Sequence, residues 1–414
     1  MDVAGCIGSP LYAVSILLYK ANIICQEKCR VLKSEQLIME HIIKYYPVGN
    51  GDCSLIKLDD KTTIIIDCQI AEITKENKDT TFDVKEDLLK ELQKDDDERP
   101  YVDLYVSTHP HSDHCDGFEK NFFCGKLDDY DNEDDKDKII IGELWVSPMA
   151  LSNTIDESAK PIRVEAKRRR KIYDDDVDFE GEYGSTLRII GYDKDKEFDS
   201  RYGYIPGTAV DTINDVWLSN LTIFIHAPFK DSVEKGKDQD DKNEVSIVLH
   251  LTFTDDQCNT VCRVLTAGDA EYDVWEKIVE NNKNEENLKW NIFLAPHHCS
   301  WTFFNETTNK DEVKESSKTI LEKQLPNAHI VTSCTSIKHY DPKAKPPPHK
   351  EAADEYKKRL NSGEDHFLNT ADEYDITKKP IVFKITENGK VKEKVAVSSI
   401  QSAVTKQAPR AGRD

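Results

Sequence analysis

The chain has 414 residues, which is long enough to bury a large hydrophobic core in one large α/β domain or in two smaller ones. Its 56 lysines and arginines and 78 aspartates and glutamates give a formal net charge of -22, which argues against a protein that coats long duplex DNA, because such binding needs a positive surface. The 11 cysteines have no regular spacing, so a small secreted disulfide scaffold is excluded and a reducing cytoplasm is expected.

The N-terminal segment stands apart from the rest of the chain. Leu11–Leu18 is apolar, but it is too short to span a bilayer and no basic residues precede it, so neither a membrane anchor nor a signal peptide is predicted. Residues 1–38 are predicted to be an extension that is either helical or the product of a start site placed too far upstream. We expect one domain from 39 to 400 and a disordered tail at 401–414.

Strand and helix patterns alternate along the first half of this domain. Residues 41–67 predict two strands joined by a tight Gly-x-Gly-Asp turn, and Asp83–Lys94 has helical spacing of its apolar residues. Tyr101–Ser107 and Ile139–Ser147 predict two further strands, and Ile381–Val391 predicts a hairpin with an Asn-Gly turn. A β-rich chain with helices between its strands favours an α/β (α+β) fold in which two sheets pack face to face with helices outside.

Residues 149–215 match this pattern poorly and are predicted to be an insert. They contain a basic helical stretch that includes Arg168, Arg169 and Arg170. One interpretation is a solvated surface helix. The other is a lid whose arginines contact substrate phosphates, since the guanidinium group matches phosphate oxygens.

The segment Ser107–Gly117 carries the chemistry. It holds His109, His111, Asp113 and His114 directly after a predicted buried strand. Imidazole nitrogens and carboxylate oxygens are ligands for zinc, manganese or iron, and packing does not explain four such side chains in one turn. The first two histidines can share one metal ion, and Asp113 and His114 can reach a second one beside it.

This His-x-His-x-Asp-His pattern resembles the signature of the metallo-β-lactamase superfamily. Further blocks are similar, in the same order, to the hydrolase domain of competence-type DNA-uptake proteins and its stand-alone relatives. These blocks are Val48–Ile56, Thr63–Cys68, Asn243–His250, Leu265–Asp269 and Leu294–Ser300. The resemblance implies a four-layer αββα sandwich of the metallo-β-lactamase type, with 149–215 as an inserted lid.

The resemblance also implies roles for residues far from the first motif. Asp269 would bridge the two metal ions, and one of His297 and His298 would complete the shell of the second ion. We expect His298 to be that ligand and His297 to face the substrate as a proton donor or phosphate contact, with Asp113 as a second catalytic residue. Cys299 stands where the family has glycine, which puts the expected backbone geometry of this turn in question.

Four more residues are assigned with the same resemblance. His226 is the candidate for an additional metal ligand, and the alternative is a half-buried strand histidine. Asp67 is expected to orient a metal-bound histidine from outside the ligand shell, and Asp52 either does the same or sets its turn. His349 lies where relatives have a Gly-His-Pro element and is predicted to be catalytic.

Together these assignments predict a hydrolase with two divalent metal ions, zinc in the first place and manganese as the alternative, and a hydroxide bridging them. The first of three alternatives is a phosphodiesterase or nuclease whose partner is a phosphorylated substrate such as nucleic acid or a nucleotide. The second is a hydrolase of carboxylic esters, lactones, amides or peptides, and the third is a non-catalytic interaction protein on the same scaffold. No membrane partner is expected, a partner protein encoded in the same operon is compatible with the family, and the oligomeric state is open.

Overall fold

A computed structural model gives the architecture of most of the chain, which is a mixed α/β fold. The residues that the structure describes are 39–153, 155–239, 241–341, 343 and 346–394. The predicted extension at 1–38 and the predicted tail at 401–414 lie outside the described residues. Among the residues described, no helix combines the length and the apolar character needed to cross a membrane.

The secondary structure contains many short strands and a smaller set of helices. The strands are β1 (His41–Tyr45), β2 (Ser54–Lys57), β3 (Thr63–Ile66), β4 (Gln93–Lys94), β5 (Pro100–Ser107), β6 (Ile140–Val146), β7 (Thr186–Ile190), β8 (Gly203–Tyr204), β9 (Ala209–Val210), β10 (Thr212–Ile213), β11 (Val216–Trp217), β12 (Leu221–Ala227), β13 (Val248–Thr254), β14 (Thr260–Thr266), β15 (Trp290–Leu294), β16 (Gln324–Thr332), β17 (Phe367–Asn369), β18 (Ile381–Thr386) and β19 (Gly389–Lys392). The α-helices are α1 (Val84–Glu91), α2 (Ser112–Cys115), α3 (Phe118–Asn121), α4 (Lys160–Asp175), α5 (Lys230–Gln239), α6 (Tyr272–Asn281), α7 (Pro296–Cys299), α8 (Glu315–Glu322), α9 (Lys350–Arg359) and α10 (Thr370–Thr377).

Two large sheets contain most of the strands. The first has the order β19-β18-β1-β2-β3-β5-β6-β7-β8, with β4 paired to β5. The second has the order β17-β16-β15-β14-β13-β12-β9, and β10 and β11 form a separate pair. Strands β3, β5, β6 and β7 are parallel, and so are β14, β15, β16 and β17. The candidate site residues follow the carboxyl ends of β3 and β5 in one sheet and of β14 and β15 in the other.

Buried side chains form three main clusters that explain this arrangement. One cluster joins residues of both sheets, such as Leu104 of β5 and Ile223 of β12. A second joins the first sheet to helices α1 and α4, and a third joins the second sheet to α6, α8 and α9 around Trp275 and Phe293. Each large sheet is therefore covered on two faces, and the amphipathic helices bury their apolar sides against the outer ones.

Most of the predicted elements are confirmed. Helix α1 begins after Asp83, whose side chain accepts a hydrogen bond from the backbone N–H of Glu86. The strands predicted around 101–107 and 139–147 are β5 and β6, and the predicted hairpin is β18–β19. The prediction of two strands over 41–67 was wrong, because a turn at Lys61, with φ of 75°, divides the second of them into β2 and β3.

The segment 149–215 was wrongly predicted to lie outside the core. It supplies β7 and β8 to the first sheet and β9 to the second. Helix α4 packs its buried residues Ile162, Ala166 and Tyr173 against the first sheet. Most of the charged residues that suggested an insert lie on the outer side of this helix, whereas Glu165 and Arg169 are buried on the side that packs against the core.

Candidate metal centre

The end of strand β5 positions the first group of candidate ligands. The backbone N–H of Thr108 donates to Asp67 Oδ1 at 2.8 Å, which ties the start of the ligand loop to the end of the neighbouring strand β3. Asp67 adopts the left-handed region with φ of 56°, so its carboxylate turns toward that loop. The loop then enters the short helix α2, which carries Asp113 and His114.

One ligand group consists of His109, His111 and Asp269. Nε2 of His109 lies 3.0 Å from Nδ1 of His111 and 3.5 Å from Oδ2 of Asp269. His109 and Asp269 are buried, whereas His111 is partly exposed. Burial and the neighbouring His109 lower the pKa of His111 to about 3, so its ring is neutral at pH 7 and keeps a lone pair for a metal ion.

A second ligand group consists of Asp113, His114, His298 and the other oxygen of Asp269. Nε2 of His114 lies 3.0 Å from Asp269 Oδ1 and 3.1 Å from Nε2 of His298. Asp113 Oδ2 lies 3.3 Å from the same His298 nitrogen. One ligand atom from each residue lies within 4.8 Å of the others, so the four converge on one point.

The chemistry of these side chains fits a cation. Asp269 Oδ1 is buried beside the ring nitrogens of His114 and His298, at 3.0 and 3.6 Å, and burial of a carboxylate is costly unless a positive charge lies beside it. Burial opposes ionisation of Asp269, but His297, His114 and His298 hold its pKa well below the ordinary value. Burial also opposes protonation of His114, yet Asp269 and Asp67 raise its pKa well above the ordinary value. The buried histidine and aspartate groups can therefore hold a metal ion in place of these protons.

Asp67 has the contacts expected of a residue that orients a ligand. Nδ1 of His114 donates to Asp67 Oδ2 at 2.8 Å, and the Thr108 hydroxyl donates to the same oxygen at 2.6 Å. This fixes the His114 ring with Nε2 toward Asp269.

Asp52 acts differently from Asp67. Its carboxylate oxygens lie 3.9 Å from Nδ1 of His114 and 3.8 Å from Nδ1 of His298, which is too far for hydrogen bonds. Nδ1 of His298 donates instead to the carbonyl of Ser333 at 3.0 Å. The backbone N–H of Asp52 donates to the carbonyl of Asp113 at 3.1 Å, so Asp52 supports the ligand loop through its main chain. Burial raises the pKa of its carboxyl group to about 6.

The adjacent histidines lie on a left-handed turn. His297, His298 and Cys299 have φ values of 50°, 51° and 66°, so three non-glycine residues in succession adopt the left-handed region that favours glycine. The two imidazole rings diverge, with centroids 6.1 Å apart and planes at 81°. His298 therefore belongs to the second ligand group, while His297 is outside both groups.

His297 lies beside the shared carboxylate. Its Nε2 is 3.7 Å from Asp269 Oδ2, and its side chain is 20% exposed. Burial opposes its protonation, but Asp269 and Glu271 raise its pKa to about 8.

The structure places His349 behind the turn rather than among the ligand atoms. Its Nδ1 accepts a hydrogen bond from the backbone N–H of Trp301 at 3.1 Å, and its own backbone N–H donates to the carbonyl of Cys299 at 3.0 Å. Burial lowers its pKa to about 4. These contacts support the backbone that carries His297 and His298.

The assignment of His226 as a metal ligand is contradicted. Side chains alternate along β12, and Ile223 and Ile225 point into the core between the sheets. His226 therefore faces the other way, where its Nε2 donates to the carbonyl of Asn287 at 2.9 Å.

The assignment of Arg168, Arg169 and Arg170 to a substrate lid is also contradicted. Arg169 is 1% exposed, and its guanidinium group donates to the carbonyls of Ile141, Gly142 and Thr186 and to the Glu165 carboxylate. Arg168 pairs with Glu165, and Arg170 pairs with Glu197. Ile141 is opposite Val102 in the sheet, five residues before the end of β5, so Arg169 contacts the sheet about 16 Å from the ligand loop.

Four residues at the site were missed or left without a role by the sequence analysis. The Ser246 hydroxyl accepts a hydrogen bond from the Asp269 backbone N–H at 3.2 Å, and Asn243 Nδ2 donates to Glu271 Oε1 at 3.1 Å. Thr302 Oγ1 lies 3.0 Å from Nδ1 of His297. Asn243 and Ser246 belong to the segment Asn243–His250, whose sequence shows the family resemblance, but nothing in the local sequence distinguishes Glu271 or Thr302.

A scan against models of known protein families finds no match, and no curated protein matches the chain. The function is therefore inferred from the geometry of the site.

Proposed function

We propose that this chain is a binuclear metal-dependent hydrolase that cleaves phosphodiester bonds in nucleic acid or nucleotides. The observation that carries the proposal is the position of Asp269. Its Oδ2 lies 3.5 Å from Nε2 of His109, in the group with His111. Its Oδ1 lies 3.0 Å from Nε2 of His114 and 3.6 Å from Nε2 of His298, in the group with Asp113. A carboxylate shared between two ligand groups is suited to bridging two cations.

The proposal includes the fold type. The order of the two sheets, one buried cluster between them and one cluster of helices on the outer side of each support a four-layer αββα sandwich of the metallo-β-lactamase type. In such a sandwich the ligands come from loops at one edge of both sheets, as they do here.

Zinc, or manganese as the alternative, fits the nitrogen and oxygen atoms of both groups. When bound, two such ions lower the pKa of a water molecule and neutralise negative charge that develops on the substrate. The protein's own contribution is a set of ligands whose orientation is fixed by burial and by contacts such as Asp67 to His114.

The accessible side of the site defines where the substrate binds. The side chains of Asp113 and His297 are 36% and 20% exposed, whereas those of His109, His114 and His298 are fully buried. Hydrolysis forms a bond from a water oxygen to phosphorus and breaks the bond from phosphorus to the leaving oxygen. His297 gives a proton from Nε2 to the leaving oxygen, and the proton that the water releases restores it.

A metal analysis and a substrate panel test the proposal. The purified protein should contain about two equivalents of zinc or manganese, and His111→Ala and Asp113→Ala should each lose metal. These residues suit the test because both are partly exposed, so their replacement leaves the core intact. His366→Ala is the matched control, because His366 is partly exposed and belongs to neither ligand group: its Nδ1 lies 3.1 Å from the carbonyl of Ala328, and its ring packs against His329.

The substrate panel contains single- and double-stranded DNA, RNA, cyclic dinucleotides, bis(p-nitrophenyl) phosphate and a lactone. Metal-dependent cleavage of the phosphodiesters, with Asp113→Ala inactive, supports the proposal. Cleavage of the lactone alone would replace it with a carboxylic ester hydrolase. A metal-loaded protein that cleaves no member of the panel would replace it with an interaction protein.

A further inference from the structure

One ring nitrogen of His297 is held by two side chains that belong to neither ligand group. Its Nδ1 lies 3.0 Å from Thr302 Oγ1 and 3.6 Å from Glu271 Oε1. Its Nε2 lies 3.7 Å from Asp269 Oδ2. Because both outer contacts engage Nδ1, Nε2 is the nitrogen directed toward the shared carboxylate.

Thr302 is itself held in place by a short hydrogen-bonded network. Its hydroxyl donates to Ser300 Oγ at 3.1 Å, and its backbone N–H donates to the same oxygen at 3.2 Å. Because the Thr302 hydroxyl donates its proton to Ser300, Thr302 Oγ1 accepts the hydrogen bond from the Nδ1–H of His297. Ser300 Oγ in turn lies 3.5 Å from Nδ1 of His349, so His349 supports this network from behind.

Glu271 is fixed from the opposite side. Asn243 Nδ2 donates to the Glu271 oxygen that faces His297, and Asn243 is 8% exposed. The Asn243 backbone N–H is held by Asp241 Oδ1 at 3.1 Å. The two side chains that contact Nδ1 of His297 are therefore both held by groups behind them.

The backbone of the turn cannot position the ring alone. His297 is in the left-handed region of a turn of four residues, and its side chain is only partly covered. A catalytic group must be held to within a fraction of an ångström, which requires fixed side-chain contacts around it.

We propose that Thr302 and Glu271 are positioning residues that hold the His297 imidazole by Nδ1, so that Nε2 faces the leaving oxygen of the substrate. This inference rests on the proposed phosphodiester hydrolysis. It also assigns supporting roles to Asn243, which holds Glu271, and to His349, which supports Thr302 through Ser300.

The test removes one oxygen atom at a time. Thr302→Val keeps the shape of the side chain but loses the acceptor, and Thr302→Ser restores the acceptor. The substrates are bis(p-nitrophenyl) phosphate, which has a good leaving group, and thymidylyl-thymidine, which has a poor one. Thr186→Val is the matched control, since Thr186 is a buried threonine whose hydroxyl donates to the Glu182 carbonyl away from the site.

We expect Thr302→Val to lower kcat for thymidylyl-thymidine by about tenfold or more. The loss for bis(p-nitrophenyl) phosphate should be smaller, because a good leaving group needs less help from a proton donor. KM and metal content should not change, and Thr302→Ser should recover most of the activity. Glu271→Gln should give a loss in the same direction.

A second measurement does not depend on turnover. In the two-bond ¹H–¹⁵N spectrum of the zinc-loaded protein, His297 Nδ1 should carry a proton, and its signal should shift in Thr302→Val but not in Thr186→Val. An equal loss of kcat for both substrates, or an unshifted His297 signal, overturns the inference. Absence of hydrolysis by the wild-type protein overturns the proposed function instead, and the spectrum then still decides whether Thr302 holds the ring.

Discussion

Replacing Asp67 with asparagine tests how the site selects the nitrogen atoms that face a metal ion. Asp67 accepts hydrogen bonds from the Thr108 backbone N–H at 2.8 Å, the Thr108 hydroxyl at 2.6 Å and Nδ1 of His114 at 2.8 Å. An asparagine at this position keeps its carbonyl oxygen on the Thr108 N–H. Its amide NH₂ then faces the other two groups, where acceptors are needed.

The Thr108 hydroxyl can rotate to accept a hydrogen bond from the amide, but Nδ1 of His114 can accept one only if Nε2 no longer binds a metal ion. The hydroxyl oxygen would accept from the new amide as it accepts from Nδ1 of His109, which lies 3.1 Å away. Nδ1 of His114 has to become an acceptor, so the ring proton moves to Nε2. That nitrogen is the one that lies 3.0 Å from Asp269 and 3.1 Å from His298, and a protonated nitrogen cannot bind a metal ion.

We expect Asp67→Asn to weaken metal binding by about 10- to 100-fold, which corresponds to roughly 1.4 to 2.7 kcal/mol. The measurement is a zinc titration against a chromophoric chelator, with circular dichroism to show that the variant is folded. Asp103→Asn is the control, because Asp103 Oδ2 accepts hydrogen bonds from the backbone and hydroxyl of Thr63 on the same pair of strands, away from the ligand loop. If Asp67→Asn binds zinc as tightly as Asp103→Asn does, the proposed selection of the His114 tautomer is refuted.

Three further predictions concern stability. Arg169→Met should lower the free energy of unfolding by about 3 to 5 kcal/mol, because it removes the side-chain donor from the carbonyls of Ile141, Gly142 and Thr186 and leaves the buried Glu165 with Arg168 alone, and urea denaturation at unchanged metal content checks this. His226 has its pKa lowered from 6.5 to about 3 by burial, so its stabilising contribution is present above pH 6.5 and is lost as the pH falls toward 3. His226→Phe should therefore keep its metal and should lower the slope of stability against pH in this window by at most about 1.4 kcal/mol per unit, and an unchanged slope would contradict the assignment. A chelator should lower the thermal unfolding midpoint and added zinc should restore it, since a ligand at 100 times its Kd stabilises the folded state by about 2.7 kcal/mol; equal midpoints with and without the chelator would argue against a bound metal.

The residues of the first motif could be placed from the sequence because their spacing is local. His109 to His114 follow a buried strand within a few residues, so the chain has little freedom to separate them. Asp269 and His298 come from distant parts of the sequence. They could be linked to the motif for two reasons. Each follows the carboxyl end of a strand, and the sequence segments that contain them resemble, in the same order, segments of the metallo-β-lactamase-type hydrolases.

The failures have identifiable physical reasons. Arg169 was assigned by its charge, although Ile162, Ala166, Arg169 and Tyr173 recur at intervals of three or four residues and share the buried face of α4. Side chains alternate between the two faces of a strand, so His226 points to the other face from the buried Ile225. This signal was present in the sequence. In contrast, Glu271 contacts His297 from a separate loop, and Thr302 contacts it from the segment that directly follows the turn, where no periodic pattern predicts the contact.

The turn at His297–Cys299 shows why the hydrophobic core and the site depend on each other. Each left-handed non-glycine residue costs roughly 1 to 2 kcal/mol, so three in succession persist only where the surroundings hold them. Cys299 is fully buried in the cluster that includes Trp301 and Phe303, and its carbonyl accepts a hydrogen bond from His349. Packing on the outer side of the second sheet therefore stabilises the turn that sends His298 to the ligand group and His297 to the accessible side. Loosening that packing should move His297 before it unfolds the sheet, because the turn is held by few contacts and the strands by many.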